Sequence, residues 1–213
     1  MEFIPNFAVF EGGDGSGTTT QLSILAERFK NTPKPVFFRT FEPTNEKTGL
    51  LIRSALKNEI KLRAETLCFL FAADRNEHLY GTNGIITHTK RNELVVSDRY
   101  TLSSLVYQGI ECGDELPQAL NSCFPAPELT IFFDIVPEIA LERIKNRSSH
   151  EIYENLNFQK KAREKYMDLL KNYDKAGGKV EIINSSGHVQ EVADKVWSII
   201  SQMPILKNSE NIF

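Results

Sequence analysis

The sequence predicts an α/β fold: a parallel sheet of about five strands with helices on both faces and a short lid. Five short apolar runs alternate along the chain with longer segments of helical periodicity, the order typical of a parallel sheet wrapped by helices. The runs are nearly continuous rather than alternating in polarity, as expected of strands covered on both faces. A glycine-rich segment follows the first run, at the sheet edge where such folds bind ligands.

The composition indicates one globular domain and disfavours several classes of partner. The 213 residues are 41% hydrophobic and carry a formal net charge of −3, so the chain can bury a core without disulfides or metals. A mildly acidic chain is poorly suited to neutralise nucleic-acid phosphates, and its longest apolar stretch, 129–136, is too short to span a membrane. Three scattered cysteines and four isolated histidines fit a reducing cytoplasm and give no zinc-ligand spacing. We expect no nucleic-acid or membrane partner.

The predicted strands, in chain order, span residues 7–10, 36–39, 94–97, 129–133 and 180–183. Helical spacing of apolar residues predicts a helix along 22–29 and another from about 63 to 79. Pro137 suits the first turn of a further helix, and the last long helix follows the apolar spacing of 189–199. We therefore expect one domain over 1–203, with a lid at about 143–155, and a polar, frayed tail over 204–213.

The strongest local signal is a loop after the first strand, composed of Gly12, Gly13, Asp14, Gly15, Ser16, Gly17, Thr18 and Thr19. Glycines permit positive φ, so the backbone N–H groups can turn inward around an anion at the start of a helix. The spacing Gly12-x4-Gly17 fits the phosphate-binding P-loop, with Thr19 at the position that binds Mg²⁺. Thr18 stands where that motif has a lysine that reaches the phosphates. A degenerate dinucleotide-binding turn, or a glycine-rich turn without a ligand, remains as an alternative.

A second cluster of candidate residues follows the third predicted strand. Asp98 and Arg99 come at its carboxyl end, where an aspartate can hold Mg²⁺ and an arginine can fork onto a phosphate. One helical face then carries Ser104, Tyr107 and Gln108, a set that could read a base edge and a sugar. A buried polar helix face whose groups are satisfied internally is the alternative.

Two further sets at helical spacing could act on a nucleotide. Phe71 and Arg75 combine an aromatic ring for stacking with a guanidinium for a carbonyl group, although a Phe at this spacing is also common in a core. Arg143, Lys145 and Arg147 form a basic set. Such a set is either a solvated face or a mobile lid that delivers positive charge.

From Phe10 to about Trp197 the chain resembles the thymidylate kinase family, nucleoside monophosphate kinases of the P-loop fold, with the family's motifs in order. The motifs are FEGGDGSG at 10–17, LFAADR at 70–75, DRY at 98–100 with SS at 103–104 and YQG at 107–109, and PELT at 127–130 running into FD at 133–134. The resemblance implies a P-loop NTPase-type sheet, ATP and dTMP as substrates, Mg²⁺ as cofactor, and a homodimer.

The resemblance also implies roles for individual residues. The implied ATP phosphate cradle is Gly12, Gly13, Asp14, Gly15, Ser16, Gly17, Thr18, Thr19 and Thr20, and Thr19 and Asp98 would serve Mg²⁺. The implied dTMP site is Asp14, Arg53, Phe71, Arg75, Arg99, Ser104, Tyr107 and Gln108, with Phe71 stacked on thymine and Arg75 bound to its O4. The implied catalytic set is Arg143, Arg147, Arg99 and Asp14, with adenine near 184–186.

Three departures from the family pattern each remove a positive charge near the substrates. They are Thr18 in the P-loop, Phe41 for the arginine of the R-E-P-G-G-T stretch, and Ile152 for the arginine of the D-R-[FI]-E stretch. The implied function is transfer of the γ-phosphate of ATP to dTMP, giving dTDP for dTTP biosynthesis. The departures leave two alternatives: a nucleotide-binding homologue that turns over poorly or not at all, and a kinase for another deoxynucleoside monophosphate.

Overall fold

The computed structural model describes residues 2–31, 34–145, 151–175 and 178–207, and their strands form one parallel five-stranded sheet. The strands are β1 (Phe3–Gly12), β2 (Phe37–Phe41), β3 (Leu94–Asp98), β4 (Ala126–Asp134) and β5 (Val180–Asn184). They pair in the order β2-β3-β1-β4-β5, and every pair is parallel. Each predicted strand is therefore confirmed, and so is the α/β fold class.

Helices connect the strands, as parallel pairing requires. They are α1 (Thr18–Phe29), α2 (Lys47–Leu56), α3 (Ala64–Tyr80), α4 (Ile85–Lys90), α5 (Thr101–Cys112), α6 (Glu115–Asn121), α7 (Pro137–Ile144), α8 (Leu156–Lys175), α9 (Val189–Ile200) and α10 (Pro204–Lys207). The helices predicted from apolar spacing are present, and Pro137 opens α7 at its first turn. No helix among the described residues has the length and apolar character needed to cross a bilayer.

The core lies on both faces of the sheet because successive side chains of a strand point to opposite sides. On one face, Ala8 and Phe10 of β1 pack in a cluster with residues of α1 and α9, including Leu25 and Val196. On the other face, Phe7 and Val9 pack in a cluster with Leu79, Ile85 and Tyr100. A third cluster joins α2, α3, α5 and α8 around Phe132 and Tyr166. These clusters hold the carboxyl ends of the strands in fixed register.

The expected frayed tail is wrong for its first four residues. Pro204–Lys207 form α10, in which Ile205 is buried and Leu206 packs against the main core cluster. Proline suits the first turn of a helix, and the two apolar residues after it supply a face that the polar character of the whole tail obscured. Residues 208–213 lie outside the described part of the chain.

Strand register brings the two candidate motifs to the same edge of the sheet. Phe10 of β1 lies opposite Asp98 of β3, and the Arg99 N–H donates to the Phe10 carbonyl at 2.8 Å. Because parallel strands end at one edge, the glycine-rich loop that follows β1 and the Asp98–Arg99 turn that follows β3 meet there. The Glu42 N–H donates to the Asp98 carbonyl at 3.0 Å, which adds the loop after β2 to the same edge.

Candidate active site

The glycine-rich loop adopts the conformation expected of an anion cradle. Gly15 and Gly17 have φ of 83° and 96°, a region that favours glycine. A Cβ at Gly15 would lie 2.2 Å from the carbonyl oxygen of Ala140, so this position also needs glycine for its close contact with α7. α1 begins at Thr18, and the backbone N–H groups of a first helical turn have no acceptor within the helix. The loop can therefore present several N–H donors and a helix N-terminus to a phosphate.

A cavity of about 700 Å³ runs from this loop to the helices α3 and α5. The predicted site residues that line it are Gly13, Asp14, Gly15, Gly17, Thr18, Thr19, Thr20, Arg53, Phe71, Arg75, Asp98, Arg99, Ser104, Tyr107 and Gln108. Gly12 and Ser16 do not line it: Ser16 is buried behind the loop, and a Cβ at Gly12 would lie 2.4 Å from the Ser16 hydroxyl. One continuous cavity thus joins the phosphate cradle to the predicted base-reading residues.

Thr19 and Asp98 form a part of the cavity whose donor set suits Mg²⁺. The Thr19 hydroxyl donates to Asp98 Oδ2 at 2.5 Å, and Asp98 Oδ1 is buried without a hydrogen-bond partner among the described residues. A hydroxyl and a carboxylate with a free oxygen match the ligands that Mg²⁺ takes beside phosphates and water. No group of three or more His, Cys, Asp or Glu residues in the described ranges could hold a metal by itself.

Asp14 and Arg99 form an ion pair at the centre of the cavity. Arg99 Nη2 donates to Asp14 Oδ1 at 2.6 Å, and Nη1 donates to the Ser103 hydroxyl at 3.2 Å. The guanidinium lies 5.1 Å from the centre of the Tyr107 ring. Arg99 has a φ of 75°, a conformation that is uncommon for a residue other than glycine and that clusters at functional sites. Backbone and side-chain contacts together fix this cation in the wall of the cavity.

Behind the ion pair lies a buried carboxyl group, that of Glu11. It accepts hydrogen bonds from the Ser103 hydroxyl at 2.6 Å, the Tyr166 hydroxyl at 3.0 Å and the Tyr100 N–H at 3.0 Å. Burial removes the carboxylate from water and raises the pKa of Glu11 to about 7, although the hydrogen bonds from Ser103 and Tyr166 and the charge of Arg99 act in the opposite direction. Glu11 therefore ties the end of β1 to the first turn of α5 and to α8.

Arg75 occupies the far end of the cavity, held in a buried network. Its Nη2 donates to Glu42 Oε2 at 2.5 Å and to the Ser104 hydroxyl at 3.1 Å, and its Nη1 donates to the Asn121 side-chain oxygen. The guanidinium is 1% exposed, and its Nε has no hydrogen-bond partner within the described chain. Fixed in this way, Arg75 has a donor available for a carbonyl oxygen that enters the cavity.

Gln108 stands near Arg75 with neither side-chain polar atom satisfied. Its Oε1 and Nε2 are both buried and neither makes a hydrogen bond among the residues described, although the Tyr153 hydroxyl lies close enough to interact with the amide. A buried unpaired amide costs about 1–3 kcal/mol, so such a group is expected where a ligand supplies the partner. Phe71 of α3 lines the same end of the cavity and offers an aromatic ring to a flat heterocycle. The predicted base-reading set of Phe71, Arg75, Ser104 and Gln108 is therefore brought together.

Arg53 lies in the cavity wall, engaged with the loop after β2. It donates to the carbonyl oxygens of Pro43 and Thr44, and its guanidinium lies 5.3 Å from the centre of the Phe41 ring. At position 41, where the R-E-P-G-G-T stretch of the resembled family has arginine, the Phe41 ring therefore fills the space by packing against Arg53.

The predicted lid residues are only partly in the site. Arg143 does not line the cavity; its Nη2 donates to the carbonyl oxygens of Ser185 and Ser186 at 3.0 and 3.2 Å, which ties α7 to the loop after β5. Arg147 lies outside the described residues, within 146–150. The end of the lid does reach the cavity, through Glu151, Tyr153 and Glu154. Burial raises the pKa of the Glu151 carboxyl, and the charge of Asp14 acts in the same direction.

Two residues of the site have no signal in the sequence. The side chain of Gln159 in α8 accepts a hydrogen bond from the Asp14 N–H and donates one to the Asp14 carboxylate. The Asn121 side chain accepts a hydrogen bond from Arg75. Each joins elements far apart in the chain, and neither belongs to a short motif. Only the packing of α8 and α6 around α5 places them in the site.

Comparison with known proteins agrees with the loop, the cavity and the sheet. The family model "Thymidylate kinase" matches residues 10–196. The chain is 42% identical to "Putative thymidylate kinase" of Treponema pallidum over 172 residues, 80% of this chain and 82% of that protein. It is 34% identical to "Probable thymidylate kinase" of Methanocaldococcus jannaschii over 199 residues, 93% and 97% of the two chains. It is 35% identical to "Thymidylate kinase" of Caldicellulosiruptor saccharolyticus over 205 residues, 92% and 96%. A match of this extent, over the strands that build the cavity, means that the chain belongs to the thymidylate kinase family.

Proposed function

We propose that this protein transfers the γ-phosphate of ATP to dTMP, giving ADP and dTDP. The observation that carries the proposal is the single cavity of about 700 Å³ that joins an anion cradle to a set of base-reading side chains. An enzyme that moves a phosphoryl group between two nucleotides needs both substrates in one water-excluding space. Membership of the thymidylate kinase family identifies the acceptor as dTMP.

The acceptor would lie with its base between α3 and α5. Phe71 would stack on thymine, the free Arg75 donor would bind O4, and Gln108 would pair with the base edge beside Ser104. Tyr107 would crowd the sugar at its 2′ position and favour deoxyribose, while Asp14 would accept the 3′-hydroxyl proton in a hydrogen bond. Arg53 and Arg99 would bind the monophosphate. The buried, unsatisfied atoms of Gln108 and Arg75 support this orientation.

The transfer needs no covalent enzyme intermediate. An oxygen of the dTMP phosphate attacks the γ-phosphorus in line, and the bond from that phosphorus to the β–γ bridging oxygen breaks as ADP leaves. The Arg99 guanidinium would stabilise the charge on the transferring group, together with the backbone N–H groups of 13–19 other than those of Asp14 and Ser16, which already donate to Gln159 and Gly13. Thr19 and Asp98 would hold Mg²⁺, which neutralises phosphate charge when it is bound. Arg147 would act from the lid over ATP, while Arg143, bound to the carbonyl oxygens of Ser185 and Ser186, would lie beside the adenine expected near 184–186.

Thr18 favours a second candidate, a nucleotide-binding protein with little or no turnover. The P-loop lysine is a charge-stabilising donor, and losing one such group can cost roughly 3–4 kcal/mol of transition-state stabilisation. Thr18 is buried at the first turn of α1 and lines the cavity, where its uncharged side chain cannot replace that lysine.

The test is to incubate the protein with ATP, Mg²⁺ and dTMP and to quantify dTDP, beside a Thr18→Lys variant and a control without protein. We expect the natural sequence to form dTDP from dTMP faster than it forms the corresponding diphosphates from dUMP, dCMP, dGMP or dAMP. Formation of dTDP by the variant alone would support the binding protein instead. Preference for another monophosphate in the panel would reassign the acceptor.

We also propose that the protein is a cytoplasmic homodimer. Four exposed apolar side chains, those of Leu50, Leu51, Leu62 and Phe69, lie on α2, on α3 and on the segment between them, with exposed fractions of 38–54%. Apolar surface of this kind is typical of contacts between copies of a chain. Light scattering after size-exclusion chromatography should give a mass twice that of one chain. The Phe69→Glu variant should have the mass of a single chain.

A further inference from the structure

The cavity that would receive two polyanionic substrates contains more acidic than basic side chains. Its described lining includes four arginines, Arg39, Arg53, Arg75 and Arg99, and five carboxyl groups, Asp14, Glu42, Asp98, Glu151 and Glu154. Phosphoryl transfer depends on cations that neutralise the charge developing on the transferring group. The availability of each arginine for that role can be judged from its existing partners.

Three of the four arginines are already engaged. Arg75 pairs with Glu42 at 2.5 Å and Arg99 pairs with Asp14 at 2.6 Å, while Arg53 donates to two backbone carbonyl oxygens. Arg39 differs, because it has no hydrogen bond or ion pair to any described residue although it lines the cavity. A guanidinium without a competing carboxylate retains its full charge for a ligand.

Arg39 is also placed to reach the phosphates. It lies on β2, the edge strand of the sheet, opposite Val96 of β3. Phe41, two residues further along β2, is on the same face and opposite Asp98. Two residues of a strand span about 7 Å, which is comparable with the length of an extended arginine side chain. The side chain of Arg39 is therefore long enough for its guanidinium to lie beside Asp98 and the start of α1.

We propose that Arg39 is a catalytic residue that contacts the phosphoryl group during transfer and supplies positive charge absent from Thr18 and Phe41. This inference rests on the proposed kinase function. The guanidinium extends along β2 toward the loop at 13–19 and donates to phosphate oxygens on the side of α1, where Thr19 and Ser23 also line the cavity. Arg39 then strengthens its contacts as charge develops, so it acts more on turnover than on ground-state binding.

The position of Arg39 allows its role in catalysis to be tested separately from any role in folding. Arg39 is exposed on an edge strand and has no partner within the described chain, so replacing it should leave the fold intact. Arg91, an exposed arginine that follows α4 and does not line the cavity, is a matched control for loss of one surface charge.

The experiment compares Arg39→Gln, Arg39→Lys and Arg91→Gln with the natural protein, measuring kcat for dTDP formation, the Kd for dTMP and the Tm. We expect Arg39→Gln to lower kcat about 100-fold, with the Kd for dTMP and the Tm unchanged. Arg39→Lys should recover part of the loss, and Arg91→Gln should have no effect.

Free guanidinium ion supplies a further readout that a structural role would not move. Added to Arg39→Ala, it should raise kcat, because the cation can occupy the space that the side chain leaves. Normal kcat in Arg39→Gln would overturn the inference while leaving the kinase function in place. Absence of dTDP from the natural protein would instead overturn the proposed function, and the role of Arg39 with it.

Discussion

Gln159 and Asp14, which are 145 residues apart in the chain, bind each other through two hydrogen bonds. The Asp14 N–H donates to Gln159 Oε1 at 3.2 Å, and Gln159 Nε2 donates to Asp14 Oδ2 at 2.8 Å. The same Nε2 donates to the Tyr153 carbonyl at 3.0 Å. One buried amide on α8 therefore connects the glycine-rich loop to Tyr153 in the segment that precedes α8, and it orients the carboxylate that pairs with Arg99.

We expect Gln159→Met to weaken dTMP binding about 10-fold, because the Asp14 carboxylate loses a donor and its loop loses an acceptor. Each such hydrogen bond contributes about 1 kcal/mol, and 1.4 kcal/mol corresponds to about a tenfold change in Kd. Isothermal titration with dTMP measures the effect. Gln118→Met, at an exposed position of α6, is the control. An unchanged Kd in Gln159→Met would show that Asp14 does not depend on this clamp.

Burial of Glu11 predicts a particular dependence of stability on pH. The pKa of Glu11 rises from 4.5 to about 7 on folding. Between these values the folded protein retains a proton that the unfolded chain has released, so the contribution of Glu11 to the free energy of unfolding falls as pH rises through this window. The full effect is of order 3 kcal/mol, and it is complete above pH 7.

Glu11→Gln removes this titration while preserving the shape of the protonated side chain. We therefore expect the stability of Glu11→Gln relative to the natural protein to increase by roughly 2–3 kcal/mol from pH 5 to pH 7.5, as measured by urea denaturation at each pH. Glu65→Gln is the control, because a hydrogen bond from the backbone N–H of Glu65 and one from Arg63 hold the pKa of that exposed carboxyl below its usual value. The free energy of unfolding of Glu65→Gln relative to the natural protein should not increase with pH. A Glu11→Gln difference that stays constant would contradict the assignment.

Glu42 holds Arg75 and therefore predicts a coupled loss of stability and affinity. Its Oε2 accepts from Arg75 at 2.5 Å, and its Oε1 contacts His78 Nδ1 at 3.0 Å, with all three side chains nearly buried. Removing one partner of a buried ion pair leaves the other charge uncompensated and costs about 3–5 kcal/mol. We expect Glu42→Gln to lower the Tm by about 10 °C and to weaken dTMP binding, since Arg75 would no longer be fixed.

Glu93→Gln provides the comparison for Glu42→Gln. Glu93 contacts His88 Nδ1 at 2.6 Å in a less buried pair, and neither residue lines the cavity. Its substitution should reduce the Tm by less and should leave the Kd for dTMP unchanged. Equal effects of the two substitutions on dTMP binding would show that the pair of Glu42 and Arg75 does not position the base-reading guanidinium.

The sheet could be predicted from the sequence because its signal is local. Apolar runs mark each strand, and the edge that carries the cavity follows from parallel pairing, which places Phe10 opposite Asp98. The partners that tune the site could not be predicted in this way. Glu11 and Tyr166 are 155 residues apart, and Arg75 meets Asn121 only because α6 packs against α3 and α5. The buried state that raises the pKa of Glu11 exists only after α8 has docked.

Arg143 is a residue for which the sequence pattern predicted a role in the site but the folded contacts differ. Its spacing in a basic set predicts a lid cation, yet its guanidinium donates to the carbonyl oxygens of Ser185 and Ser186. Sequence spacing gives the helix face of a charged residue, but the acceptors available to a long side chain depend on which loop packs nearby. Arg39, a residue without a motif, lines the cavity instead.

Gln108 gives a prediction in which stability and binding change in opposite directions. Both polar atoms of its side chain are buried without hydrogen-bond partners in the described chain, so the free protein bears the cost of an unsatisfied amide. Gln108→Met keeps a side chain of similar length and removes that cost. We expect the free energy of unfolding without ligand to rise by about 1 kcal/mol, while the Kd for dTMP rises at least tenfold because the base edge loses its partner.

Gln21→Met separates this effect from a general response to losing a buried amide. Gln21 is also buried, and its Oε1 likewise lacks a hydrogen-bond partner among the described residues, but its Nε2 donates to the Val189 carbonyl at 2.9 Å. Its substitution loses that hydrogen bond and should therefore lower stability relative to Gln108→Met. Its effect on dTMP binding should be small, because Gln21 does not line the cavity. Urea denaturation and isothermal titration on both variants give the comparison. A Gln108→Met protein that is less stable than the natural one would mean that the amide is satisfied within the fold, and Gln108 would then not be reserved for the substrate.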